Sequence, residues 1–212
     1  MISRAVFVDK QVGSGVGLVG ILLAYVKASK VILSDGDMST LANMKLNLEL
    51  NHLSAETERS QCTTLLSRLI QCKYLSWEFA SASDFQEIRP EIILGADVIY
   101  DPLCLPHLIR VLVLLLNSRK PIPQQNKTCC KSPVSENISE SITEASKEGS
   151  IAYIATVIRN EDTFNYFLKL AKEAHLNVVD ITETRKPFSF LPYMITYVRS
   201  SIRLFTLSLL QD

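Results

Sequence analysis

The chain has no excess of either charge and no grouping of metal-binding side chains. Its 22 basic and 22 acidic residues cancel. With no long run of Lys or Arg, it lacks the electrostatic footprint of a nucleic-acid binder. That balance says nothing against a protein partner. The five cysteines, at positions 62, 72, 104, 129 and 130, include no Cys-x-x-Cys pair and no Cys/His cluster with metal spacing. They support neither a zinc site nor a disulfide framework. An odd cysteine count without a secretory pattern at the N-terminus fits a reducing compartment, and the expected location is the cytoplasm. The apolar run over residues 103–116 is too short to span a bilayer. The expectation is a soluble monomer that binds neither membrane nor nucleic acid.

At 212 residues, 47% of them hydrophobic, the chain fits a single domain over 1–212 with a sizeable core. Short β-rich runs alternate with helical patterns. Strands are expected at 5–8, 30–33, 72–75, 92–95, 151–157, 177–182 and 202–209. Helices are expected at 18–28, 39–51 (with Ser39 as a candidate cap), 103–117 and 163–174. This alternation predicts a doubly wound, mostly parallel α/β sheet. The last two strands have no helix pattern between them, only an aromatic loop over 188–193, and so predict an antiparallel C-terminal hairpin. Between 118 and 149 the composition turns polar, with few large apolar residues to offset ordering entropy. A disordered insertion is expected there.

Three short motifs stand where strand-like runs give way to turns. Gly13-Ser14-Gly15-Val16-Gly17 follows the first strand, where glycines let backbone approach a ligand and the next helix offers its N–H groups. The stretch has two formal readings. From Gly15 it is Gly15-x-Gly17-x-x-Gly20, a dinucleotide fingerprint with Asp35 twenty residues on. From Gly13 it is the looser glycine turn of S-adenosylmethionine-dependent methyltransferases. The plainer alternative is a tight turn and nothing more. Asp35, after the second strand, is placed to accept from ribose hydroxyls, although it could be a simple turn residue like Asp37. Trp77, the single tryptophan, either packs in the core or lines an adenine pocket.

Asp97-Val98-Ile99-Tyr100 follows a strand apolar enough for burial on both faces, at the carboxyl edge where open α/β folds bind ligands. A hydride-transfer enzyme has no need of an acid and a tyrosine there, whereas methyl transfer to an amine does. The amine must attack in its neutral form, yet a lysine has an ordinary pKa of about 10.4. A carboxylate can orient it and an aromatic ring can flank the cationic product. The plainer alternative has Asp97 capping the next helix and Tyr100 packing on it.

Gly13-Ser14-Gly15-Val16-Gly17-Leu18, Leu33-Ser34-Asp35, Leu75-Ser76-Trp77 and Ala96-Asp97-Val98-Ile99-Tyr100-Asp101-Pro102 together resemble the seven-β-strand protein-lysine methyltransferases of methyltransferase family 16. Within that family, Ser34-Asp35 followed by residues 47–51, and Thr156-Val157-Ile158-Arg159-Asn160 followed by a Phe-rich helix, are most similar to members that methylate translation elongation factor 2. The resemblance implies a class I, Rossmann-like methyltransferase fold and S-adenosylmethionine as methyl donor. It also implies elongation factor 2 as protein substrate. It assigns cofactor contacts to Gly13, Gly15, Gly17, Asp35, Trp77 and Ala96, and places Asp97 and Tyr100 at the target lysine. Two features depart from the family pattern. Gln11 stands where members carry an acid, and Asp9-Lys10-Gln11 puts polar residues into the central strand, which is expected to end early or shift register. The chain also starts almost at the first strand, which suggests an N-terminally shortened form. The alternatives are accordingly a non-catalytic methyltransferase-like binding module and an NAD-dependent oxidoreductase.

Overall fold

A computed structural model describes residues 8–26, 28–53, 69–86, 88–118, 149–184 and 202–210. The chain runs through β1 (Val8–Val12), α1 (Leu18–Tyr25), β2 (Lys30–Asp35), α2 (Met38–Leu50) and β3 (Leu69–Tyr74). A 3-10 turn (Ala82–Phe85) then leads to β4 (Ile92–Ala96), α3 (Leu105–Asn117), β5 (Ile151–Val157), α4 (Glu161–Glu173), β6 (Leu176–Asp180) and β7 (Ile202–Leu209). The seven strands form one sheet in the order β3-β2-β1-β4-β5-β7-β6. The first five strands pair in parallel, and β7 lies antiparallel between β5 and β6. This is the doubly wound sheet with an antiparallel C-terminal pair that the alternation predicts.

Burial on both faces explains the apolar run of β2. Successive side chains point to opposite sides of a strand. Ile32 therefore joins a cluster with Leu108, Leu112, Ile154 and Phe167 under α3 and α4. Its neighbours Val31 and Leu33 join Ile21, Met44 and Leu48 under α1 and α2. The helices are set by their ends as much as by their apolar stripes. Asn160 caps α4 by accepting from the Thr163 N–H at 3.0 Å. Glu161 and Asp162 in its first turn and Lys172 in its last complement the helix dipole.

Several boundaries differ from the sequence expectation. β1 runs over Val8–Val12 rather than 5–8, straight through Asp9, Lys10 and Gln11, and it neither ends early nor slips. Its backbone pairs on both sides, Val12 lying level with Ser34 and with Gly95. Two continuous ladders therefore carry the glycine turn to the carboxyl edge; residues 5–7 lie outside the described residues. β3 begins at Leu69 and pairs with all of β2, and as an edge strand it tolerates Gln71 and Lys73. α1 stops at Tyr25, where the Ala28 N–H returns to the Leu23 carbonyl at 3.0 Å, a closing bond typical of helix ends. α2 is capped by Asp37, not Ser39: the Asp37 carboxylate accepts the Thr40 N–H at 2.7 Å, and the Ser39 hydroxyl merely donates to it. α3 opens at Leu105 because Asp101 first organises a turn, accepting the Leu103 N–H at 2.9 Å. Residues 119–148 of the expected insertion, the 188–193 loop and cysteines 62, 129 and 130 lie outside the described residues; Cys72 and Cys104 are free thiols. Among the described residues no helix is long and apolar enough to cross a membrane, and no group of side chains could hold a metal ion.

Candidate active site

The strand order reverses direction between β1 and β4, and a cleft of about 350 Å³ opens there at the carboxyl edge of the sheet. The turns after four strands line it. Gly13 and Gly15 follow β1, Asp35–Asp37 close β2, Leu75–Glu78 follow β3, and Ala96, Asp97, Val98 and Tyr100 follow β4. Cys104 and His107, at the start of α3, complete the wall. This is where open α/β sheets bind ligands.

The glycine turn is held by β2. The Gly15 N–H donates to the Asp35 carboxylate at 2.9 Å, and the second oxygen of Asp35 accepts from the Asp37 N–H at 3.1 Å. Asp35 thus joins two turns while its remaining lone pairs line the cleft, so the turn role and the ligand role coexist. Gly13 and Gly15 adopt φ of 62° and 53°, backbone that favours glycine. A Cβ on Gly13 would sit 3.2 Å from both the Trp77 ring and Val98, whereas one on Gly15 would meet open space. Trp77 also fills two roles. It is half-buried against the cluster under α3 and α4, and it lines the cleft. Its turn is anchored by Arg110, which donates at 2.7 Å to the carbonyls of Trp77 and Glu78.

Gly17 is placed elsewhere. It lies outside the cleft, and a Cβ there would come within 2.8 Å of Met44. Its φ of 85° caps the start of α1, so it serves the turn and the helix packing rather than a ligand contact. Gly20 likewise lies against Leu33, leaving a Cβ only 2.5 Å from that side chain.

Asp97 does not cap α3, whose N-cap is Cys104. Its N–H instead donates to the Ala155 carbonyl at 2.7 Å, with φ at 57°. Its carboxylate takes a bidentate pair of hydrogen bonds from Arg159 at 2.7 and 2.8 Å. Those bonds hold the Asp97 carboxyl below the ordinary carboxylate range. Tyr100 stands beside it, exposed over 63% of its surface. Partial burial and the nearby acids raise its phenol above the ordinary value. Behind Tyr100 a smaller hollow of about 60 Å³ is lined by Thr156, Arg159, Thr163 and Phe164.

Of the sequence candidates, Gly13, Gly15, Asp35, Trp77, Ala96, Asp97 and Tyr100 meet in one cleft. Sequence reading missed Arg159, Arg110, Glu78 and His107. The signal for Arg159 was its place just past β5, the parallel neighbour of β4.

A family profile described as lysine methyltransferase matches residues 10–128, more than half of the chain. The chain belongs to the lysine methyltransferase family. This is a family of S-adenosylmethionine-dependent protein-lysine methyltransferases. An uncharacterized protein of Dictyostelium discoideum is 30% identical across 98% of this chain and 54% of its own length. The human Protein-lysine N-methyltransferase EEF2KMT is 30% identical over 55% of this chain and 36% of its own. The chain thus spans about half or less of the length of these relatives. Among solved structures, the methyltransferase domain of bacterial CtHen1-C covers 95% of this chain and 89% of its own at TM-score 0.56 and 14% identity. A ribosomal protein L11 methylase from Lactobacillus delbrueckii subsp. bulgaricus covers 99% and 73% at TM-score 0.53 and 10% identity. Both share the class I methyltransferase fold.

The cleft suits the cofactor that the family implies. S-adenosylmethionine carries a sulfonium, and the lining supplies carboxylates at Asp35, Asp37, Glu78 and Asp97. A dinucleotide would instead bring its anionic pyrophosphate against those acids.

Proposed function

We propose that this chain is a cytoplasmic protein-lysine N-methyltransferase that uses S-adenosylmethionine and acts on translation elongation factor 2. The observation that carries the reading is the placement of Asp97 and Tyr100 on the wall of an acid-lined cleft that also holds Gly13, Asp35 and Trp77. Family membership supports the lysine as acceptor. The motif similarity and the human relative's name support elongation factor 2.

When bound, S-adenosylmethionine supplies a methyl that passes to the lone pair of a neutral amine, the electrons of the broken carbon–sulfur bond returning to sulfur. Asp35 and the glycine turn hold the nucleoside side of the cleft, with Trp77 as an apolar wall. The acidic lining draws a lysine toward the site, and Asp97 accepts a hydrogen bond from its amino group and aims it. The Tyr100 ring flanks the nitrogen as it becomes a methylated cation.

The test is direct. The purified chain is incubated with S-adenosylmethionine and elongation factor 2, and the products are mapped by mass spectrometry. Methylation of one lysine supports the proposal. Selective binding of S-adenosylmethionine without any methylated lysine favours the binding-module reading instead.

A further inference from the structure

An acidic cleft creates a difficulty for methyl transfer to an amine. A carboxylate within about 4–6 Å favours the charged form of a neighbouring base by about 1 to 3 pKa units. A lone Asp97 would therefore bind the lysine firmly and keep it as ammonium, whose nitrogen has no lone pair to attack with. The surroundings deepen the problem. Asp35, Asp37 and Glu78 line the same cleft, Asp101 follows Tyr100, and Glu161 and Asp162 open α4 beside Arg159. Cys104, with its thiol raised chiefly by burial, Tyr100 and His107 are the remaining ionisable groups of the wall.

Among the described residues, Arg159 is the one cation bonded to Asp97. The topology brings them together. β4 and β5 are parallel neighbours with Ala96 opposite Ala155, so residues just past the two strand ends meet. Asp97 faces the cleft, while Arg159 approaches from the hollow behind Tyr100. Both side chains keep about half of their surface exposed, 49% for Asp97 and 59% for Arg159, so the carboxylate, which also takes a backbone hydrogen bond from Val157, remains open to approach. Resting on the proposed lysine methylation, we infer that Arg159 is a positioning residue that neutralises Asp97 toward the substrate. Asp97 can then orient the acceptor amine without holding it protonated. The proton leaves the ammonium for solvent before attack. The nitrogen lone pair then forms the new nitrogen–carbon bond as the methyl's bond to sulfur breaks, its electron pair staying on the departing thioether, and the methylated product leaves as a cation.

The test compares wild type, Arg159→Gln and Arg159→Lys in methylation of elongation factor 2 from pH 6.5 to 10. Far-UV circular dichroism confirms that each variant folds. Removing the cation is expected to lower kcat about tenfold or more at pH 7 while the KM for the protein substrate falls, because the ammonium binds better and reacts worse. The ascending limb of the Arg159→Gln profile moves up by about one pH unit or more, so its rate closes on wild type only beyond the pH at which the wild-type profile levels off. Arg159→Lys keeps the cation and with it the wild-type limb. A loss of kcat without a fall in KM, or no change for Arg159→Gln, overturns the inference and leaves the proposed function standing. A wild-type chain that methylates no lysine overturns both.

Discussion

The Asp35 carboxylate accepts the backbone N–H of Gly15 across a sequence separation of 20 residues, at 2.9 Å. A single side chain thus couples the first two turns of the cleft, and anything that displaces it alters both. Substituting Asp35 with Asn should weaken S-adenosylhomocysteine binding in calorimetry by about tenfold or more, because a charge-assisted bond to backbone and the acceptor pair are lost together.

Gly13→Ala places a Cβ 3.2 Å from both Trp77 and Val98 in backbone at φ 62°. The left-handed conformation costs an ordinary residue about 1–2 kcal/mol, and the Trp77 ring must shift as well. Stability is expected to fall more than for Gly15→Ala, which shares the left-handed strain at φ 53° but has no protein atom against its Cβ. Urea midpoints of the two variants side by side check the order.

Asp97→Asn is expected to reduce methylation of elongation factor 2 by about a hundredfold or more through lost orientation of the amine. Stability should change little, since half-exposed ion pairs contribute at most about 1 kcal/mol. Turnover and urea midpoint measured on the same preparation separate the two effects.

Thr156 is 3% exposed, and its hydroxyl makes no hydrogen bond to any described residue. A buried polar group without a partner costs about 1–3 kcal/mol. Thr156→Val keeps the shape and removes that cost, so the urea midpoint should rise or hold. A drop would mean that the hydroxyl has a partner.

Asp37 titrates at about 2, lowered chiefly by the hydrogen bond from Ser39 and then by those from Thr40. Its folded value is depressed, so its support of α2 is complete above the ordinary carboxylate value of about 4. That support fades as the pH falls through about 2. The stability difference between wild type and Asp37→Ala should be flat from pH 5 to 7 and vanish in strong acid, as read by urea titration at each pH.

What could be read from the chain beforehand follows from where the physics is local. β5 and β7 were legible end to end because apolar residues dominate runs of seven and eight residues. β1 was not, because Asp9, Lys10 and Gln11 argue against a central strand, and only the ladders to β2 and β4 overrule them. The α2 cap was ambiguous because Asp37 and Ser39 are both cap-forming types, and the decision lies in which oxygen reaches the Thr40 N–H. Most of the cleft wall was legible because it sits at strand ends marked by glycine and acid. Arg159 was legible only as part of a family-like motif, and its pairing with Asp97 was not, because the two lie 62 residues apart in sequence.

The two halves of the carboxyl edge are tied in different ways. On the β1–β2 side, the Ser14 N–H bonds the Ser34 carbonyl, and the Ser34 N–H returns to the Ser14 hydroxyl, both at 2.9 Å. Asn47 ties the same turn to α2 through the Val16 carbonyl. On the β4–β5 side, Asp97 is the knot, held by backbone bonds to Ala155 and from Val157 and by a guanidinium that faces solvent. A substitution at Asp97 therefore leaves every one of the ties that hold the nucleoside half untouched.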